Sequence, residues 1–237
     1  MSDKMPVVIL CGGKGTRLGA MTETMPKPMV EIGGRPIIWH IMKHYAHYGH
    51  NEFILALGYK GEKIREYFAY FKDEDWIIHL VDTEAGALTG GRMKRVEHLL
   101  GGKAFMMTYG DGVATVDIDK LLEFHEGHEG LVTLTAVRPP ARFGALEFDG
   151  DRISYFKEKS ISHSAWINGG FFVIESAALS WIEGDVMWEH APMEWLADTG
   201  ELYAYKHEGF WQCMDTLRDL EYLQAQWDGG NPPWKTW

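Results

Sequence analysis

The sequence predicts an α/β protein: a mostly parallel, twisted sheet with helices on both faces, plus a small mixed β region. Three observations carry that prediction. Apolar runs of strand length alternate with helical patterns from residue 7 to residue 137. Two of these runs end abruptly in glycine-rich loops, "CGGKG" at 11–15 and "YGDG" at 109–112. The chain of 237 residues, 46% hydrophobic and 24% charged, is long enough to bury a large core and ordinary for a globular protein.

The first strand is "VVILC", 7–11, a β-branched run stopped by glycine. A helix over 36–48 follows, with Pro36 at its first position, apolar residues at 37, 38, 41, 42 and 45, and Gly49 as its stop. "EFILAL", 52–57, is the second strand. The helix over 62–71 sets Ile64, Tyr67, Phe68 and Phe71 on one face. Strand 76–81, "WIIHLV", comes next, then a helix over 91–100. Strand 104–109, "AFMMTY", runs into Gly110-Asp111-Gly112, and a helix over 117–126 leads to strand 131–137. Repeated β-α-β units make parallel pairs, and their ligands sit outside the carboxyl ends of the strands. The second half is more mixed. "FGALEFDGDRISYFKEK" reads as a hairpin turning at Asp149-Gly150. A strand spans 167–175, helices lie near 176–183 and 192–199, and a strand over 201–207 precedes "GFWQCMDT". The last helix, 216–227, carries Leu217, Leu220, Leu223 and Trp227. The tail "GGNPPWKTW" is too rich in proline for a helix and too aromatic to hang free, so it packs on the body or on another subunit. One domain over 1–237 holds all of this, in halves of about 6–137 and 138–237.

Composition excludes several classes. A net charge of −11 argues against general nucleic-acid binding and against an anionic membrane surface. No apolar stretch approaches the roughly 20 residues of a membrane span, and the opening "MSDKMP" lacks the apolar segment of a signal peptide. Two cysteines, Cys11 and Cys213, are too few for a disulfide framework, so a reduced, cytoplasmic protein is expected.

The loop "CGGKGTRL", 11–18, invites an anion. Its glycines let successive backbone N–H groups point at one ligand, and Lys14 and Arg17 add positive charge. Phosphate is the commonest such guest. The P-loop spacing is absent, and Leu18 stands where a dinucleotide fingerprint has its third glycine. On the loop alone, a tight connection with no ligand stays open. Asp111, between glycines after a buried strand, and Asp215, after "WQCM", would suit Mg²⁺ if both reach the strand edge; the competing reading for Asp111 is a turn former or cap. Lys27 lies between prolines on a stiff segment that would preposition its cation, or is simply an exposed loop lysine. "TGGRMKRV", 89–96, opens a helix with glycines and Arg92, suiting an anion or a solvated helix face. His40, His44 and His47 share a helix face, but no fourth ligand is evident nearby and a zinc site is discounted. Neither cysteine shows the partnered base that a nucleophile needs.

Together these segments resemble the sugar-1-phosphate nucleotidyltransferases, and within that family the cytidylyltransferases that make CDP-glucose. "CGGKGTRL", "PKPMVEIGGRPIIWHIM", "GYKGEKIREYF", "TGGRMKRV", "TYGDGV", "RFGAL", "INGGFFV", "FWQCMDTLRD" and "PPWKTW" follow in the family's order from about residue 7 to 237. The resemblance implies a Rossmann-like nucleotidyltransferase fold. It implies transfer of a cytidylyl group from CTP to a sugar 1-phosphate, expected to be glucose 1-phosphate, with release of pyrophosphate. It implies a nucleotide site at Leu10, Gly12, Gly13, Gly15, Thr16, Arg17, Arg92, Gly110 and Asp111, with Mg²⁺ on Asp111 and Asp215. It puts the sugar against Glu158, Lys159, Asn168, Gly169 and Glu189. Arg17, Lys27 and Lys159 are the expected catalytic cations, the first two against the nucleotide and the third against the incoming phosphate. Ser160 stands where the family has a proline. The stretch before Thr89 is shorter than in the enzyme compared, where it is tied to subunit contacts; a homo-oligomer is expected. The rival readings are another phosphorylated acceptor, dTTP or UTP as donor, or a non-catalytic nucleotide sensor.

Overall fold

Five consecutive apolar residues make β1 (Val7–Cys11) a strand buried along its whole length, the pattern of a parallel sheet covered on both faces. The structure is a computed structural model and describes residues 4–139, 145–157 and 165–237. Its further strands are β2 (Glu31–Ile32), β3 (Arg35–Pro36), β4 (Glu52–Leu57), β5 (Ile77–Asp82), β6 (Phe105–Tyr109), β7 (Gly112–Ala114), β8 (Val132–Val137), β9 (Ala145–Asp149), β10 (Arg152–Lys157), β11 (Ile167–Asn168), β12 (Phe172–Ile174), β13 (Leu202–His207) and β14 (Trp211–Cys213). The helices are α1 (Met21–Thr24), α2 (Ile37–His47), α3 (Gly61–Ala69), α4 (Thr89–Val96), α5 (Ile118–Glu126), α6 (Ala191–Asp198) and α7 (Leu217–Asp228).

The main sheet runs β5-β4-β1-β6-β12-β8, with β13 on the far side of β8. Strands β5, β4, β1, β6, β8 and β13 point one way; β11 and β12 oppose them. The chain first lays β4 and β5 on one side of β1, then returns to lay β6 on the other. That reversal opens a crevice at the carboxyl ends of β1 and β6, the usual ligand position in such sheets. Alternate residues of β1 feed two cores. Val7, Ile9 and Cys11 pack with side chains of α2, α3, α5 and α7; Val8 and Leu10 pack with those of α4 and α6. Each such buried aliphatic side chain contributes about 1.5–3 kcal/mol.

The mostly parallel sheet agrees with the β-α-β alternation, and element bounds agree within a few residues. The strand expected over 167–175 is corrected. It is two short strands on the same side of β8, interrupted at Gly169–Phe171. Gly170 (φ 77°) and Phe171 (φ 51°) both take the left-handed region, which breaks the extended backbone. The helix near 176–183 is a 3-10 helix, Ser176–Trp181. The tail packs on the body of the same chain. Trp234, 1% exposed, stacks on Phe210 and donates its indole N–H to His40 Nδ1 at 3.4 Å. The hairpin is present as β9 against β10 and, among the described residues, forms a two-stranded sheet of its own. Among the described residues no helix is long and apolar enough to cross a membrane.

Candidate active site

Where β1 ends, the chain must leave the sheet without closing the crevice. Gly15 turns it with φ 62°, a region that other residues enter at a cost. Gly12 lies against the guanidinium of Arg92, where a Cβ would collide with it. Arg92, on α4, is 4% exposed. Its Nη1 donates to Leu57 O at 3.0 Å, Thr83 Oγ1 at 2.7 Å and Glu84 O at 2.9 Å. Its Nη2 donates to Gly12 O at 3.1 Å and Ala85 O at 3.3 Å. One guanidinium thus ties the glycine loop to the segment after β5. Burial holds its pKa below the ordinary arginine value.

The crevice is a cleft of about 480 Å³, lined by Leu10 to Gly15, Arg17, Lys27, Ala85 to Thr89, Arg92, Tyr109, Gly110 and Asp111. A second hollow of about 200 Å³ is lined by residues that include Arg17, Tyr109, Asp111, Asn168, Gly169, Trp211, Cys213 and Asp215. Arg17, Tyr109 and Asp111 line both, so the two hollows meet there.

Asp111 and Asp215 are brought together by a small separate sheet. β7 begins one residue after Asp111, β14 ends two residues before Asp215, and the two strands pair antiparallel with Cys213 opposite Gly112. Met214 N–H then donates to Asp111 O at 2.8 Å. Lys27 Nζ bridges the two carboxylates, 2.5 Å from Asp111 Oδ2 and 2.6 Å from Asp215 Oδ1. Arg17 Nη1 reaches Asp215 Oδ2 at 2.7 Å. Burial works to raise the Asp215 pKa, but Lys27 and Arg17 outweigh it and hold the carboxyl below the usual carboxylate range. For Lys27 burial works downward and the two aspartates prevail, raising it. Beside the smaller hollow, Tyr109 donates its hydroxyl to Glu189 Oε1 at 2.6 Å and accepts from Asn168 Nδ2 at 3.3 Å. Thr89 donates to Glu189 Oε2 at 2.6 Å, and Trp211 Nε1 donates to Gly169 O at 2.8 Å.

A sequence profile described as "Nucleotidyl transferase" matches residues 6–221. The chain belongs to the nucleotidyl transferase family. It is 48% identical to the glucose-1-phosphate cytidylyltransferases of Salmonella typhi and Salmonella typhimurium, over 98% of this chain and 100% of theirs. It is 32% identical to the mannose-1-phosphate guanylyltransferase catalytic subunit beta of Danio rerio, over 93% of this chain and 65% of that one. Among solved structures, HddC from Yersinia pseudotuberculosis superposes with a TM-score of 0.74 at 24% identity, covering 94% of this chain and 99% of that one. An apo UDP-glucose pyrophosphorylase gives 0.75 at 12% identity, covering 96% and 99%. These two likenesses speak for the fold. The Salmonella typhi alignment runs over 256 positions, more than the 237 residues here, so that relative carries residues this nucleotidyl transferase lacks.

Most of the residues that the sequence singled out converge in this nucleotidyl transferase. Leu10, Gly12, Gly13, Gly15, Arg17, Lys27, Arg92, Gly110 and Asp111 line the larger cleft, and Asn168, Gly169 and Asp215 the smaller. Thr16 and Glu189 line neither, though Glu189 reaches the wall through Tyr109. Glu158 and Lys159 lie outside the described residues. Tyr109 and Trp211 are additions to the sequence reading. Strand alternation was a usable signal for the second, since Trp211, Cys213 and Asp215 fall on one side and all line the smaller hollow. Burial pushes the Cys11 thiol up; burial and then Asp215 push Cys213 up to about 12, so both stay protonated near neutral pH. His40 and His44 are core residues whose Nε2 atoms meet the carbonyls of Ile32 and Val116.

Proposed function

We propose that the chain transfers the cytidylyl group of CTP to a sugar 1-phosphate, glucose 1-phosphate, with release of pyrophosphate. The observation that carries the chemistry is the junction of two hollows at a paired aspartate, Asp111 and Asp215, bridged by Lys27. The choice of CTP and glucose 1-phosphate rests on the likeness to the Salmonella cytidylyltransferases.

The acceptor's phosphate is already nucleophilic near neutral pH, so the site needs no general base. Its work is to hold two anions in line and to neutralise their charge. Gly12, Gly13, Gly15 and Thr16 wrap the triphosphate, with Leu10 and Gly110 as the floor. Arg17 and Lys27 offset charge on the attacked and leaving phosphates. Arg92, spent on carbonyls, keeps the loop and the segment after β5 at a fixed separation. Asn168, Gly169 and Glu189 face the sugar, and Glu158 and Lys159 meet the sugar and its phosphate. The donor set suits Mg²⁺, which favours carboxylate oxygen together with substrate phosphates: Asp111 and Asp215 are two hard carboxylates that both line the smaller hollow. Asp111 and Asp215 would hold it, and it would supply neutralisation of the charge that builds on the transferred phosphate.

We place the reaction in the cytoplasm and in a homo-oligomer. Support for the second comes from the β9–β10 hairpin. Phe148 pairs with Ile153 and Leu146 with Phe156 on one face, and these side chains are 45–64% exposed. A lone two-stranded hairpin is marginal in water, and a second copy of the chain gives that face a cover.

The test is pyrophosphate release in Mg²⁺ over four nucleoside triphosphates crossed with a panel of sugar 1-phosphates. Release with CTP and glucose 1-phosphate is expected. Release with CTP and another sugar would reassign the acceptor, and release with dTTP or UTP would reassign the donor. No release with any pair would sink the transferase reading in favour of a nucleotide sensor.

A further inference from the structure

We infer that Asp219, beyond its part in the α7 cap, is a positioning residue for Asp215 through its bonds to the Asp215 amide and to Gln212. This rests on the reading above that Asp215 holds the cation.

Asp219 lies in the first turn of α7 and is 9% exposed. It forms a capping box with Thr216: Asp219 N–H donates to Thr216 Oγ1 at 3.3 Å, and Thr216 N–H donates to Asp219 Oδ2 at 2.8 Å. The Thr216 hydroxyl also donates to Oδ2 at 2.8 Å. A capping box needs no more than this. Here Oδ2 takes one further donor, the backbone N–H of Asp215, at 3.2 Å. The other oxygen, Oδ1, accepts from Gln212 Nε2 at 3.1 Å. Gln212 is buried on β14, and the same nitrogen donates to Cys213 O at 2.8 Å. One carboxylate therefore joins the strand before Asp215 to the helix after it.

The connecting residues are held from the other side as well. Met214 N–H donates to Asp111 O, and Cys213 pairs with Gly112. Of the successive amides at 214, 215 and 216, the first is thus fixed by the backbone of Asp111 and the next two by Asp219. With those amides fixed, the Asp215 side chain leaves the backbone toward Lys27 and Asp111. Partners of this kind commonly set ligand orientation, and losing one weakens metal affinity by about 10–100-fold.

The experiment titrates Mn²⁺ into the full chain with CTP and reads water-proton relaxation. Asp219→Ala is expected to weaken Mn²⁺ binding by about tenfold. Asp219→Asn, which keeps an acceptor for the 215 and 216 amides, is expected to recover most of it. Thr216→Ala removes the hydroxyl from the helix cap; it should lower the melting temperature and leave Mn²⁺ affinity at the wild-type value. Asp215→Asn should abolish the protein-bound signal. Wild-type affinity in Asp219→Ala, with loss in Asp215→Asn, overturns the inference alone. Equal weakening in Thr216→Ala and Asp219→Ala also overturns it, assigning the effect to helix capping. Wild-type affinity in Asp215→Asn overturns the reading of Asp215 itself. If Asp219→Ala does not fold, Gln212→Ala carries the test: a several-fold loss supports the inference and wild-type affinity overturns it.

Discussion

Lys27 is the residue on which the two halves of the site converge, and its local sequence explains why. Flanking prolines stiffen the segment, which forms a short 3-10 turn over Lys27–Met29, and the side chain is largely buried with its ammonium between Asp111 and Asp215. The pair stabilises the fold in a pH window that follows from the shifts. The lowered Asp215 pKa makes its contribution present above the usual carboxylate range and lost on acidification; the raised Lys27 pKa makes its own lost only in alkali. Replacing Lys27 by Met leaves two carboxylates facing each other in a partly buried site. Lys27→Met is expected to lower the melting temperature in EDTA, and added Mg²⁺ is expected to restore it by more than it stabilises wild type. The rate of transfer should fall by about 10²–10³-fold, as when one charge-stabilising donor is removed. A melt that ignores Mg²⁺ in this variant would contradict a cation on the two aspartates.

At the scale of elements, α2 shows how a functional-looking pattern becomes structure. Its histidines at helical spacing suggest a metal face, yet His40 and His44 are 0% and 3% exposed and hydrogen-bonded to backbone carbonyls. Trp234 from the tail closes over His40, which ties the C-terminus to the element that follows the Lys27 segment. Burial lowers both imidazole pKa values to about 4. The unfolded chain then binds protons first as the pH falls, so stability is lost between about pH 6.5 and pH 4, by roughly 3 kcal/mol for each histidine at the lower limit. Thermal melts across that range should show the decline, and His44→Gln should flatten it. An unchanged slope in the variant would mean that His44 is charged in the folded state.

For the whole molecule, the sheet order decides where function sits. The chain reverses across β1, and the cleft opens at that reversal between two separately packed cores. The hairpin forms a separate two-stranded sheet among the described residues, with Leu146, Phe148, Ile153 and Phe156 exposed. Sedimentation of the full chain is expected to give an oligomer, and Phe148→Ser with Phe156→Ser to give a smaller species with its melting transition retained. A monomer in the parent chain would remove the reason for that exposed face. The net charge of −11 leaves the four cations of the cleft, Lys14, Arg17, Lys27 and Arg92, as a local exception within an acidic molecule.

Local pattern alone determined much of this. Strand and helix alternation gave the α/β class, because the two periods differ and each apolar face must be buried. Glycines after β1, the proline-flanked Lys27 and the two aspartates pointed to residues that line the two hollows, because few residue types permit close backbone approach or bind hard cations. Only the tertiary structure decided the rest. Nothing near Arg92 in sequence says that its guanidinium is consumed by Gly12, Leu57 and three residues after β5. Asp111 and Asp215 lie far apart in the chain and meet because β7 pairs with β14. The break at Gly169–Phe171 was hidden because it depends on backbone angles, not on the apolar pattern. Contacts of this kind join distant segments, and their energy is settled by which surfaces the packed sheet brings face to face.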